Sequence, residues 1–326
     1  MKSQIKTLHL PTVIQNHSQE MSNKVVAVTG TTSGTGFILA REAAKKGATV
    51  ILLNRESERS TNALTQLQEL VPDGKFDAIA CDLQNFESVR QAAQAIRNKY
   101  EVLDVLVNNA GVMAFKDIAT VDGYDVQMQT NVISHFLLTK ELFPLLKKSS
   151  QARIVNHTSM ARLGSPLNPE YFMKKGGDLG GDGTDEENTS FSGPRWERYH
   201  QTKLANCAFT YGLKSKLDQA GITNVIPLLA HPGFALTNLQ ATTATDGGME
   251  KNSDMMSQAQ SAEDGACGII RAALDPDAKS GNFYGPSGRG WKGFPELLEP
   301  EDYIQSDYTV QTNWEECENA VGAFTM

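Results

Sequence analysis

Two stretches of this chain combine residue types and spacings that permit chemistry. The first, Thr29-Gly30-Thr31-Thr32-Ser33-Gly34-Thr35-Gly36, stands directly after the apolar run Val25-Val26-Ala27-Val28 and directly before a helical pattern over 37–46. A strand turns there into a helix whose first N–H groups and positive end can face an anion. Gly30, Gly34 and Gly36 let the backbone come close to that anion with no Cβ in the way. The stretch reads as a seat for a pyrophosphate. Its Gly-x3-Gly-x-Gly spacing departs from the Gly-x-Gly-x-x-Gly of the standard dinucleotide fingerprint, so an ordinary glycine-rich turn competes with this reading. The second stretch, Tyr199-His200-Gln201-Thr202-Lys203, opens a helix in which residues four apart share a face. A free phenol holds its proton to a pKa of about 10, and an ammonium one turn away favours the phenolate, easing proton transfer at neutral pH.

The elements that must position these residues alternate along the chain. Strands are expected at 25–29, 48–53, 76–80 and 103–107, each followed by a helix, at 36–47, 56–71, 86–100 and 124–148. Further strands are expected at 153–157, 224–230 and 282–284. The second strand is continuously apolar, as when both faces of a parallel sheet are covered. The rhythm predicts an α/β fold, a single doubly wound parallel sheet flanked by helices, with a ligand at the carboxyl ends of its strands. Those ends carry Asn54-Arg55, Asp82-Leu83, Asn108-Asn109-Ala110-Gly111, Thr158-Ser159 and His231-Pro232-Gly233. After the second strand no acid is offered to a ribose 2′-hydroxyl, whereas Arg55 supplies a guanidinium suited to a 2′-phosphate, which favours NADP over NAD. The competing reading makes Arg55 the start of a solvated helix beside Glu56 and Glu58. Asn131, alone among Val132, Ile133 and Phe136, reads as a buried amide that caps or bridges something.

Residues 160–198 break the rhythm with seven glycines, prolines at 166, 169 and 194, and an acidic run over 182–187. A loop of that length inside a compact domain is a lid, a binding loop or disordered. It starts after Ser159, stops before Tyr199, and carries Tyr171, Phe172, Met173, Phe191 and Trp196. With the aromatic part of the tail it is therefore expected to enclose a bulky apolar substrate, its glycines letting it open and close; a solvated excursion or an oligomer contact is the alternative. Beyond Ala241 the residues to Gln260 look mobile, and 261–274 look helical with Ser261 as N-cap. The expected organisation is a loosely held extension over 1–23, which ends near the start-like Met21-Ser22-Asn23-Lys24; a catalytic domain over 24–290; and an aromatic, acidic tail over 291–326 packing on it.

At 326 residues and 40% hydrophobic content the chain can bury a sizeable core. The formal charge of −8 argues against nucleic acid as a partner, and most of it sits in the tail, where eight acids face one base. Four scattered cysteines show no Cys-x-x-Cys, so neither a disulfide framework nor a metal site is suggested, and a reducing, cytoplasmic setting is expected. No run approaches the ~18 apolar residues of a membrane span. The expected partner is a small molecule, with the oligomeric state open between monomer and homodimer.

Taken in order, Thr29 to Gly36, Asp82, Asn108 to Gly111, Asn131, Ser159, Tyr199 with Lys203, and Pro232-Gly233 resemble the short-chain dehydrogenase/reductase family over residues 24–285. Tyr199 to Asn206, the His231-Pro232-Gly233 turn and the enlarged segment before Tyr199 look like the branch of retinol dehydrogenases and light-dependent protochlorophyllide reductases. The resemblance implies a tetrad of Asn131, Ser159, Tyr199 and Lys203. In it Tyr199 is general acid for carbonyl reduction and base for alcohol oxidation, Ser159 holds the substrate oxygen and Asn131 positions a water. It also implies NADP(H) as hydride carrier, with no metal. The cofactor would be held at Gly30, Thr32, Ser33, Gly34, Thr35 and Gly36; at Arg55, Asp82 and Leu83; at Asn109, Ala110 and Gly111; and at Tyr199, Lys203, Pro232, Gly233 and Thr237. Two other readings stay open: a carbon–carbon double-bond reductase of the protochlorophyllide reductase type, and a protein that binds NADP without turnover.

Overall fold

Apolar runs without polar alternation suit strands that are covered on both faces, and the chain uses them so. The computed structural model describes residues 5–182, 191–249 and 257–326. In chain order its elements are α1 (Leu10–Asn16), β1 (Val25–Thr29), α2 (Gly34–Lys45), β2 (Thr49–Asn54), α3 (Glu58–Leu70), β3 (Lys75–Ala80), α4 (Phe86–Lys99) and β4 (Val105–Asn108). There follow α5 (Val126–Met128), α6 (Ser134–Leu146), β5 (Ala152–His157), α7 (Pro194–Gln219), β6 (Val225–Ala230), α8 (Asn238–Thr245), α9 (Ala262–Gly265), α10 (Cys267–Leu274), β7 (Phe283–Gly288), β8 (Lys292–Leu297) and α11 (Asp307–Val321). One sheet runs β3-β2-β1-β4-β5-β6-β7-β8, parallel throughout except for β8, which pairs antiparallel with β7. Strands β4, β5 and β6 are buried along their whole length, whereas the edge strand β3 is half-exposed.

Two apolar cores flank the sheet. One holds Leu10 and Val13 of α1, Ile38 and Leu39 of α2, Leu67 of α3 and Ile269 and Ile270 of α10. The other gathers Val89 and Ile96 of α4, Phe136 and Leu142 of α6, Leu204 and Phe209 of α7, and Trp314 of α11 with Phe324. Between α5 and α6 the chain makes a π-turn over Gln129–Ile133, so the helix expected over 124–148 is one rod with an irregular middle.

The main departures from expectation lie at the two ends. The extension is docked rather than loosely held: Leu10, Val13 and Met21 are buried, and the carboxylate of Asp264 accepts the N–H groups of Leu8, His9 and Leu10 at 2.7–3.2 Å. Polar spacing hid an amphipathic turn whose N-terminus is capped from far along the chain. The strand expected at 282–284 is the start of a hairpin of β7 and β8, and the tail folds α11 onto α7. Gly212 of α7 permits that approach, since a Cβ there would lie 3.2 Å from Val310 Cγ1. Residues 238–245, partly expected to be mobile, form α8 with Thr237 as N-cap in a capping box with Gln240. Most of the acidic run at 182–187 lies outside the described residues.

Candidate active site

A cleft opens at the carboxyl ends of β1 and β4, where the strand order reverses. Gly30 follows β1 at φ 72°, and a Cβ on it would lie 2.8 Å from Ala110 Cα. A Cβ on Gly36 would come within 2.3 Å of Gly30 O and Asn109 Nδ2. These two glycines let the loop after β1 press against the loop after β4. Asn109 sews the loops together, its Nδ2 donating to the carbonyls of Thr29 and Gly30 at 2.9 and 3.1 Å. Its Oδ1 accepts from Thr35 Oγ1 and His157 Nδ1 at 2.9 and 3.0 Å. Ser33, the N-cap of α2, forms no side-chain cap bond and no acid lies in the first turn, so the helix's positive end is left for an anion. Arg55 and Arg59 line the cleft, and Arg59 Nη2 donates to Ser33 Oγ at 3.3 Å. Asn54 accepts from Thr31 N at 2.8 Å and donates to Thr31 Oγ1 at 2.7 Å, which commits the amide to its own loop.

The reacting centre forms where β5 ends and α7 passes. Ser159 leads a single 3-10 turn over Met160–Arg162, its Oγ accepting from Ala161 N at 3.2 Å. Helix α7 starts at Pro194, so Tyr199 and Lys203 lie inside it and are buried. Lys203 Nζ donates to the His157 carbonyl at 3.0 Å and stands 5.6 Å from the centre of the Tyr199 ring. Burial raises Tyr199 to about 12, and the hydrogen bond with the Ser159 side chain pulls it back only in part. Burial also lowers Lys203 to about 8. The expectation that Lys203 lowers the Tyr199 pKa is not what dominates here: burial raises it, and the opposing effect comes from the Ser159 hydrogen bond.

Asn131 occupies the π-turn, where the widened backbone brings its amide against two segments. Its Nδ2 donates to Val112 O and Thr202 Oγ1 at 2.9 and 3.0 Å, and its Oδ1 accepts from Val112 N at 2.9 Å. The amide thus ties the loop after β4 to α7. The Asn131 carbonyl accepts from His135 Nδ1 at 3.0 Å, and the other ring nitrogen takes the Thr29 hydroxyl at 2.9 Å. Burial lowers His135 to about 4, so it is neutral in this network. Thr29 Oγ1 accepts in turn from the N–H groups of Asn109 and Ala110, both at 3.0 Å. Thr29 and Thr202 stand in the motifs read from the sequence, but their role as ties, and that of His135 and His157, is not legible there, because nothing local marks a buried hydroxyl or imidazole as a tie between loops.

A family model described as short chain dehydrogenase matches residues 24–177. The chain is similar to an uncharacterized oxidoreductase, C736.13, of Schizosaccharomyces pombe, 34% identical over 244 residues that cover 73% of this chain and 68% of that protein. The chain belongs to the short-chain dehydrogenase family. Human retinol dehydrogenase 13 is 34% identical over 225 residues, which cover 69% of this chain and 62% of the relative, so the likeness spans about three fifths of that protein. Among solved structures, an uncharacterized protein from Mycobacterium paratuberculosis superposes with a TM-score of 0.73 at 28% identity, covering 98% of this chain and all of that one. A short chain dehydrogenase from Shigella flexneri complexed with NADP shares the fold, with a TM-score of 0.59 at 23% identity, over 82% of this chain and 98% of its own.

In this short-chain dehydrogenase the cleft holds 1640 Å³, more than the ~300–1,000 Å³ a single small ligand needs, so it has room for a dinucleotide and a second molecule. The cradle fits a dinucleotide diphosphate, given the glycine contacts and the uncapped end of α2. Asp82, Leu83, Gly111, Pro232, Gly233 and Thr237 all line the same cleft. Opposite the cradle the wall is apolar: Met113, Trp196, Tyr199 and Met249 form a small buried cluster with Leu239 against it. Phe191 packs on Trp196 with ring centres 4.7 Å apart, and Trp196 meets Tyr199 edge-on at 5.9 Å.

The insertion divides. Its two ends, with Met160, Leu163, Phe191 and Trp196, line the cleft, but Phe172 belongs to the main core and Tyr171 packs against that core. Nor do its glycines act as free hinges in 176–181: the Asp117 carboxylate accepts the N–H of Gly177 at 2.8 Å and of Leu179 at 2.5 Å. Gly177, Gly180 and Gly181 take φ of 93°, 84° and 80°, and the Gly181 carbonyl accepts the Asp117 N–H at 3.0 Å. Of the tail aromatics Trp291 lines the cleft, whereas Trp314 and Phe324 are core residues. Period-free sequence gave no means of separating wall from core. No helix among the described residues is long and apolar enough to cross a membrane.

Proposed function

We propose that this chain is an NADP(H)-dependent oxidoreductase acting between the carbonyl and alcohol forms of a bulky, apolar small molecule. The observation that carries the reading is the meeting of Ser159, Tyr199 and Lys203 in a cleft with a glycine cradle on one side and an apolar wall on the other. When bound, NADP(H) supplies or accepts the hydride. Gly30, Ser33, Gly34 and Gly36 with the end of α2 would hold its diphosphate, and Arg55 with Arg59 its 2′-phosphate. Tyr199 gives its proton to a carbonyl oxygen held by the Ser159 hydroxyl, and its raised pKa keeps that proton in place until transfer. Lys203 fixes the peptide of His157 and, as an ammonium, lies one turn from the phenol. Asn131 keeps the loop over 109–112 against α7, and in this reading it would also position a water for proton exchange. Four free, buried cysteines accord with a reducing, cytoplasmic setting.

The test is a panel of apolar aldehydes, ketones and their alcohols followed by NADPH fluorescence. Turnover of bulky apolar carbonyls with NADPH in preference to NADH is expected. Turnover confined to a porphyrin under illumination would replace the proposal with double-bond reduction, and binding without turnover on any substrate would end it.

A further inference from the structure

We propose that the C-terminal segment completes the active site, with Glu301 acting through Arg162 to fix the peptide of Ser159, which makes both residues positioning residues for the reaction proposed above. Arg162 stands three residues after Ser159, and its side chain is only 6% exposed. Its guanidinium reaches forward and back at once. Nε and Nη2 donate to the two carboxylate oxygens of Glu301 at 3.1 and 2.6 Å, while Nη1 donates to the Ser159 carbonyl at 3.2 Å. The same carbonyl accepts the Arg162 N–H at 3.1 Å, so one residue holds the Ser159 peptide by backbone and side chain together. From outside, the Tyr303 hydroxyl donates to the Arg162 carbonyl at 3.1 Å, and the guanidinium lies 4.9 Å from the centre of the Phe283 ring.

A forked, charge-assisted pair of this kind fixes direction as well as distance. Without Glu301 the guanidinium would be nearly dry and uncompensated, and it would turn toward water, dragging its bond to Ser159 with it. Glu301 lies far beyond the residues 24–177 that match the family model. Ser159 is also the group whose hydrogen bond lowers Tyr199 against the effect of burial. A displaced Ser159 would therefore impair two functions, the grip on substrate oxygen and the tuning of the phenol.

Glu301→Ala, Glu301→Gln and Arg162→Lys are compared with wild type. With the clamp as described, Glu301→Ala lowers kcat by about tenfold at unchanged NADPH affinity, because binding of the cofactor does not pass through Ser159. It also moves the alkaline rise of alcohol oxidation to higher pH, and Glu301→Gln, which still accepts one bond, falls between. Should Glu301→Ala fail to bind NADPH, the same comparison is read from Glu301→Gln and Arg162→Lys. A tail that is merely stapled down gives the opposite result: a lower melting temperature, with kcat per folded molecule and the pH profile unchanged, and that overturns the proposal. Hydrogen exchange supplies an arm that needs no turnover. The amides of Ala161 and Arg162, both bonded to Ser159, exchange faster in Glu301→Ala while β5 stays protected; equal protection overturns the clamp even if wild type proves inactive, whereas inactivity alone counts against the proposed function.

Discussion

At the scale of single residues, burial governs the two titrating groups of the site. Tyr199, raised to about 12, keeps its proton at every ordinary pH, so carbonyl reduction needs no prior ionisation. Alcohol oxidation needs the phenolate, whose fraction climbs about tenfold per pH unit below that value. Tyr199→Phe should keep NADPH binding and lose nearly all turnover, by about 10²-fold or more, since the one hydroxyl placed to move the proton is gone. Lys203 is charged below about 8 and neutral above it. An ammonium that helps to hold the cofactor, as the family resemblance implies, would make the Kd for NADPH rise as pH passes that point, and Lys203→Met should remove that rise. Arg55→Asp should raise the KM for NADPH about tenfold or more while sparing NADH, with Arg59→Ala giving a smaller loss because a guanidinium then remains. Tyr199, Lys203 and the glycines were legible because their chemistry depends on local spacing. Arg59 was not, since its relevance comes from one turn of α3 passing over Ser33.

At the scale of elements, the insertion and the tail each serve two structures. Phe172 lies in the main core, so Phe172→Ala should cost about 3–5 kcal/mol of stability, seen as a lower denaturation midpoint, with substrate preference unchanged. Trp196 stands in the cleft wall with its Nε1 donating to Gly248 O at 2.9 Å. Trp196→Ala should raise KM for the largest substrates more than for small ones and lower kcat through the loosened Tyr199 ring. Equal effects on large and small carbonyls would remove Trp196 from the wall. The βα rhythm made seven of the eight strands readable, most plainly β1, β2 and β4, whose burial on both faces goes with continuous apolar runs. Strand β8 escaped, because Lys292-Gly293-Phe294-Pro295-Glu296-Leu297 has neither an apolar run nor clean alternation and owes its form to pairing with β7. Helix α11 escaped too: the sequence marks the tail as aromatic, acidic and packing on the domain but places no helix in it, and Trp314 and Cys317 belong to the main core.

At the scale of the whole molecule, the ends of the chain fold back on the sheet. Asp264 caps α1 across more than 250 residues of sequence, and the rings of His9 and His17 each stand 5.9 Å from Phe294. Asp264→Ala should lower stability by about 1–2 kcal/mol through the lost cap, leaving kcat untouched, and a thermal melt beside an activity assay separates the two. The position of α1 was illegible from the sequence because its partners are remote. That remoteness acquires a meaning when the protein is being made. Leu8 is bonded to a residue 256 positions later, and at about 5–20 residues per second the ribosome takes roughly 13–50 s to deliver it. During that interval β1 and β2, and later β4, can pair, while Leu10 and Val13 lack the part of their cover that α10 supplies. Helix α1 is thus made long before its cap and is completed only when α9 and α10 arrive.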